Sequence, residues 1–176
     1  MAQPETAGRQ IQLEEIFADA SPYILAAARE LLLEYGRFVV AQPGAARFCF
    51  GSLEKEAARL PQSYIEQSGS CIVAFVDQEP AGFIAWRALP PSVAPAAWEL
   101  KRLWVRPSGR GLGLGRKLIE AALGRAVTAG QKAVYLDTVP ESMAAAVRIY
   151  QELGFRPCAP YNDNPVEGIA YFMKPL

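Results

Sequence analysis

The chain contains no histidine. That one absence removes the Ser-His-Asp triad, the Cys-His pair and every histidine-ligated metal centre. Cysteine is nearly absent as well: Cys49, Cys71 and Cys158 are odd in number, widely spaced and form no Cys-x-x-Cys pair. Neither a disulfide framework nor a zinc site is expected, and Cys71 and Cys158 read as packing residues. No apolar run reaches the roughly 20 residues that cross a bilayer, and the opening "MAQPETAGRQ" lacks the apolar stretch of a signal peptide. Excess charge is missing too, with 18 basic against 18 acidic residues, so nothing pulls the chain toward nucleic acid or a membrane surface. The expectation is a cytoplasmic protein without metal, nucleic-acid or membrane partners. Any catalysis must run on carboxylates, tyrosine, lysine, backbone amides or a bound cofactor.

What is present suits a globular fold. The 176 residues are 51% hydrophobic, enough to bury one core, and we expect a single domain over residues 1–176. "RQIQLEEIF" reads as a first strand. "ASPYILAAARELLLEYG" reads as a helix capped by Ser21, with Pro22 in its first turn and Gly36 at its end. "GSLEKEAARLP" gives a shorter helix, opened by Ser52 and stopped by Pro61. "SCIVAFVD" and "AGFIAWRAL" form a hairpin, "PPSVAP" a loop, and "AAWELKRLWV" the next strand. A helix then runs to Gly130, "KAVYLDTV" is a strand, and Pro140 opens a helix closed by Gly154. "FRPC" and "IAYFMK" are the last strands. Early hairpins followed by strand–helix alternation indicate a mixed α/β (α+β) domain.

One segment demands more than structure. In "VRPSGRGLGLGRKL", glycines stand at 109, 111, 113 and 115, directly before Arg116 and Lys117. The spacing fails the P-loop pattern and the dinucleotide fingerprint alike. It does fit Arg-x-x-Gly-x-Gly, with Arg110, Gly113 and Gly115 between a strand and a helix. Successive amides at a helix start form an anion-binding nest, suited to a pyrophosphate. A plain glycine-rich turn is the alternative.

"LKRLWVRPSGRGLGLGRKLIEAAL" resembles the acetyl-CoA-binding core of the GNAT (Gcn5-related) N-acetyltransferases. "YLDTVPESMAAAVRIYQELGFRP" resembles the later strand and helix of that family, ending in Tyr-x-x-x-Gly-Phe. The resemblance covers roughly residues 99–157, in the family's order and spacing. It implies one domain whose central sheet is mostly antiparallel, splayed between two parallel strands and flanked by helices. It implies acetyl-CoA as cosubstrate and no metal. Cofactor contacts fall on Leu103, Trp104, Val105, Arg110, Gly111, Leu112, Gly113, Leu114, Gly115, Arg116 and Lys117. The strand backbone at residues 103–105 would pair with pantetheine, the amides of about 110–116 would cradle the pyrophosphate, and Trp104 is expected to pack in the core.

The same resemblance distributes the chemistry. An amine with a pKa near 10 is only about a thousandth neutral at pH 7, so a base helps. Glu99 stands where many relatives carry a carboxylate; a glutamate ion-paired beside Lys101 and Arg102 is the alternative, and Asp137 is a second base candidate. The Val105 amide would donate to the oxyanion. Tyr150 would serve the departing thiolate. A thiol near 8.5 is more acidic than a tyrosine near 10, so full transfer is uphill by about 2 kcal/mol and hydrogen-bond donation is the better role. Many relatives carry an asparagine seven residues before this tyrosine; here it is Met143, and Ser142 is the available substitute.

The acceptor side is read from Glu34, Tyr35 and Phe38, with Arg37 beside them, and from Tyr161, Asn162 and Glu167 in "YNDNPVEG". The expectation is acetyl transfer to a primary amine of a small molecule by direct attack in a ternary complex. Protein N-termini or lysines, and a non-catalytic acyl-CoA sensor, are the alternatives, and homodimer formation stays open.

Overall fold

The structure is a computed structural model that describes residues 8–42 and 50–176. Cys49 falls outside them. The chain runs β1 (Ile11–Glu15), α1 (Pro22–Val40), α2 (Phe50–Ala58), α3 (Gln62–Ile65), β2 (Ser70–Val76), β3 (Glu79–Ala88) and β4 (Ala97–Val105). It continues with α4 (Leu114–Thr128), β5 (Ala133–Thr138), α5 (Ala144–Glu152), β6 (Arg156–Pro157) and β7 (Ala170–Pro175).

The seven strands form one sheet in the order β1-β2-β3-β4-β5-β7-β6. Every neighbouring pair is antiparallel except β4 and β5. This is the mostly antiparallel sheet, opened between two parallel strands, that the sequence leads one to expect. β2 is buried along its whole length, which fits its unbroken apolar run.

Alternation along the strands feeds two cores. Ile72, Ala74, Ile84, Trp86, Trp98 and Leu100 pack with Leu118, Ile119 and Ala122 of α4 and with Tyr150 of α5. On the other face, Val73, Phe75, Phe83 and Ala85 pack with Leu31 and Leu32 of α1 and Leu53 of α2.

Several expected boundaries move. Ser21 does cap α1, its hydroxyl accepting from the Ile24 N–H at 3.3 Å. Gly36, however, lies buried inside α1, which runs on to Val40. A helix-interior glycine costs only about 1 kcal/mol, and nothing in Arg37–Val40 stops the helix. α2 is already helical from Phe50, so Ser52 lies within it rather than opening it. Pro140 opens a turn instead of a helix: the N–H groups of Ser142 and Met143 both donate to the Val139 carbonyl, and α5 begins at Ala144. The short helix α3 follows Pro61, which the sequence marks only as a stop.

Candidate active site

The site begins where β4 and β5 part. Their parallel pairing covers only residues 97–99 of β4 against 133–135 of β5. Beyond Glu99 the edge of β4 facing β5 is unpaired. A bulge lies at the same place: Phe83 faces Trp104 and Ala85 faces Lys101, so Arg102 and Leu103 together oppose Ile84. Arg102 takes the strain, with φ at +62°. Past the bulge the ladder is regular, and the Arg106 N–H donates to the Ala81 carbonyl at 2.9 Å. Antiparallel alternation therefore turns the Val105 N–H away from β3, toward the open edge.

The glycine loop follows at once. Gly109 packs so closely that a Cβ there would sit 2.8 Å from Leu114 and 3.2 Å from Ala81. Gly111 and Gly113 adopt φ of +78° and +71°, and nothing stands within 4 Å of where their Cβ atoms would point. The N–H groups of residues 111–116 find no partner among the described residues and converge on the N-terminus of α4. The Arg110 N–H is an exception to the expected cradle, since it donates to the Pro107 carbonyl at 3.2 Å.

Side chains of the loop divide by task. The Arg110 guanidinium lies 5.9 Å from the centre of the Trp104 ring. Arg116 turns away, pairing with Glu152 and, at 3.7 Å, Glu120, while Lys117 is exposed. Neither lines the cavity above the loop. Leu112 and Leu114 pack on the α4-side core. Trp104 is half-buried rather than a core residue: it packs on the α1-side cluster, meets the Phe38 ring at a tilt of 42° with centroids 5.2 Å apart and also lines the cavity.

That cavity, about 440 Å³, is walled by Leu103, Val105, the loop glycines and Ile149. A second, about 110 Å³, lies where the strands splay and is lined by Tyr35, Lys101, Arg102, Asp137, Tyr150 and Asn164 among others. Phe38, Leu103, Ser142 and Met143 line both, so the two form one continuous cleft.

The reactive groups sort themselves by access. Tyr150 is 5% exposed, packs edge-on against Phe155 at 5.7 Å and points into the smaller cavity. Burial, with the neighbouring Tyr35 and Asp137, pushes its phenol above the usual range. Asp137 lines the same cavity, its Oδ2 accepting from the Asn162 and Asn164 amides at 2.8 and 3.1 Å. Glu99 is different. Its carboxylate is fully buried and accepts from Arg87 Nε at 2.6 Å, the Tyr161 hydroxyl at 3.0 Å and Asn162 Nδ2 at 3.3 Å. Lys101 Nζ lies 3.6 Å away. Glu99 is not part of the cleft wall.

The expected acceptor residues scatter. Tyr35 and Phe38 reach the cleft from the end of α1. Glu34 does not; it is pinned by Arg106 at 2.8 Å and by the Trp104 Nε1–H at 3.1 Å. Burial would raise its carboxyl, but these donors hold it below the usual range. Tyr161 and Asn162 cover Glu99 from the far side, and Glu167 is exposed on the loop before β7. Ser142 lines the cleft with its hydroxyl donating to the Val139 carbonyl at 3.3 Å.

Lys101, Arg102, Gln42 and Asn164 are among the polar cleft residues that sequence reading overlooks. Only the first two left a trace, as two basic residues beside Glu99. Arg102 in fact pairs with Glu56 of α2 at 2.9 Å and lies 5.8 Å over the Tyr35 ring.

An open strand edge, a glycine nest and a buried tyrosine thus meet in one cleft. Comparison with known proteins gives the family. The model of the acetyltransferase (GNAT) family matches residues 14–155, and the chain belongs to that family, an acetyl-CoA-dependent group of N-acetyltransferases. An uncharacterized N-acetyltransferase of Schizosaccharomyces pombe is 32% identical over 122 residues, 69% of this chain and 73% of that protein. An acetyltransferase of the GNAT family from Staphylococcus aureus superposes with a TM-score of 0.73 at 17% identity, over 94% of this chain and 99% of its own. The PaiA N-acetyltransferase of Thermoplasma acidophilum, solved with coenzyme A, gives 0.70 at 17% identity, over 95% and 99%. No described helix is long and apolar enough to cross a membrane.

Proposed function

We propose that this chain transfers the acetyl group of acetyl-CoA to a primary amine of a small molecule, by direct attack with both substrates in the cleft. One observation carries the reading: the open β4 edge, the unpartnered loop amides, Tyr150 and Asp137 all face one continuous cleft.

The residues present fit the cosubstrate. The N–H groups of residues 111–116 offer donors for a pyrophosphate, and the positive φ at Gly111 and Gly113 keeps the approach clear. Backbone at Leu103 and Val105 offers the edge for the amides of pantetheine. When bound, acetyl-CoA supplies the activated acyl group. The Val105 N–H then donates to the carbonyl oxygen as charge gathers there. Asp137 orients the amine and accepts its proton. This moves the base role from Glu99, whose carboxylate is closed off, to the second candidate. As the N–C bond forms and the C–S bond breaks, the Tyr150 hydroxyl donates to the sulfur. Its raised pKa suits a donor that keeps its proton.

The small-molecule assignment rests on the acceptor end. At about 110 Å³ it admits a compact amine, and Tyr35, Phe38 and Val166 narrow it. The test is thiol release from acetyl-CoA across a panel of small amines and lysine peptides. Small amines turn over in the wild type, and Asp137→Asn lowers kcat by roughly 10²- to 10⁴-fold. Undiminished Asp137→Asn turnover would reject this base, and turnover of peptides alone would reject the acceptor class.

A further inference from the structure

Three charged side chains line the acceptor end of the cleft: Lys101, Arg102 and Asp137. Arg102 is spoken for, since both its Nε and its NH2 nitrogen donate to Glu56, at 3.2 and 2.9 Å. The other two are not. Lys101 has only Glu99 at 3.6 Å, and Glu99 is already held by Arg87 at 2.6 Å, so two cations share one carboxylate. Asp137 has no cationic partner among the described residues; its contacts are the amides of Asn162 and Asn164 on one oxygen.

The cleft thus presents an under-matched cation and an unmatched anion in one cavity. Lys101 is the costlier to leave so, because it is largely withdrawn from water, while Asp137 is half-buried. The Lys101 side chain is only 17% exposed, and burial lowers its pKa despite the Glu99 charge. The bulge is what brings Lys101 and Arg102 to one face. In a regular strand consecutive residues point oppositely, yet Arg102 meets Glu56 and Tyr35 on the side of the sheet where Lys101 meets Glu99.

We propose that the acceptor is an amino carboxylate, its amine held by Asp137 and its carboxylate taken up by Lys101. The inference rests on the small-molecule reading above and names the substrate class within it. A simple cationic amine would match Asp137 but leave Lys101 as it is, and a polyamine would bring more positive charge toward Lys101 and Arg102. A zwitterion satisfies both groups at once.

The experiment uses the purified full chain with acetyl-CoA and measures kcat/KM for matched pairs. Each pair is an α-amino acid and the amine left by its decarboxylation, such as phenylalanine with phenethylamine and leucine with isopentylamine. The amino acid is expected to win at least one pair by about tenfold or more, the size of one charge-assisted hydrogen bond. Lys101→Met should collapse that ratio toward one, and Lys101→Arg should keep most of it. Stabilisation of each variant by acetyl-CoA shows that it is folded, and Lys101→Gln serves if the methionine variant is not. The amine winning every pair, or Lys101→Met lowering both members alike, overturns the proposal. No turnover of either member of any pair, with acetyl-CoA still stabilising the protein, overturns the small-molecule reading and this inference together.

Discussion

The two ends of the cleft are made of different material. The donor end is backbone: an open strand edge and the N–H groups of residues 111–116, with glycines to keep side chains away. The acceptor end is side chains, gathered from α1, β4, β5 and the loop before β7. Backbone donors are fixed by the fold and read any acyl-CoA alike. Side chains from four elements are free to vary one at a time. Under the proposed function, a common cosubstrate at one end and a private acceptor at the other follow from that difference in construction.

The comparison breaks most readily at the donor end. Gly113→Asp puts a carboxylate into the nest, and should weaken acetyl-CoA binding by roughly 10²-fold, about 2.7 kcal/mol. Titration calorimetry checks it, and unchanged affinity would remove the loop from the donor site. Tyr150→Phe tests the junction of the two ends. It should lower kcat by about 10- to 100-fold while acetyl-CoA affinity holds, the signature of an interaction made mainly in the transition state. Loss of affinity in step with kcat would instead mark Tyr150 as a packing residue of the cleft.

Glu99→Gln sharpens the other end. With Arg87 about a third exposed, the loss of this charge should cost about 1–2 kcal/mol, seen as a Tm lower by several degrees. Turnover should fall much less than in Asp137→Asn; the reverse, at an unchanged Tm, would return the base role to Glu99. The smallest effect is alkaline. Burial raises the phenols of Tyr64 and Tyr150, so the unfolded chain gives up these protons first, near pH 10. Their stabilising contribution is whole below about pH 10 and declines above it, which chemical denaturation at stepped pH will show.

Legibility in the sequence followed the same division. The glycine loop was readable because its backbone imposes glycine at fixed positions, Gly109 through close packing and Gly111 and Gly113 through positive φ. The acceptor end was not, because adjacency in sequence misled. Glu34 precedes Tyr35 in the chain, but helical rotation sends it to Arg106 while Tyr35 faces the cleft. Glu99 looked available until Arg87, twelve residues before it on the neighbouring strand, and Tyr161 closed over it. Lys101 and Arg102 looked like alternating strand residues, and nothing in "WELKRLWV" announces the bulge that turns both to one side.

That bulge also acts as a phase shifter. Upstream of Arg102, the odd-numbered residues Glu99 and Lys101 lie on the sheet face of Arg87 and Ala85; downstream it is the even-numbered Trp104, opposite Phe83, that takes that face, while Val105 joins the opposite core. The inversion uncouples the two halves of one strand. Removing one of the two residues that oppose Ile84 would keep Trp104 and Val105 on their present faces but restore a regular ladder, so that two basic neighbours could no longer share a side; the length of β4 is as much a part of the site as its composition.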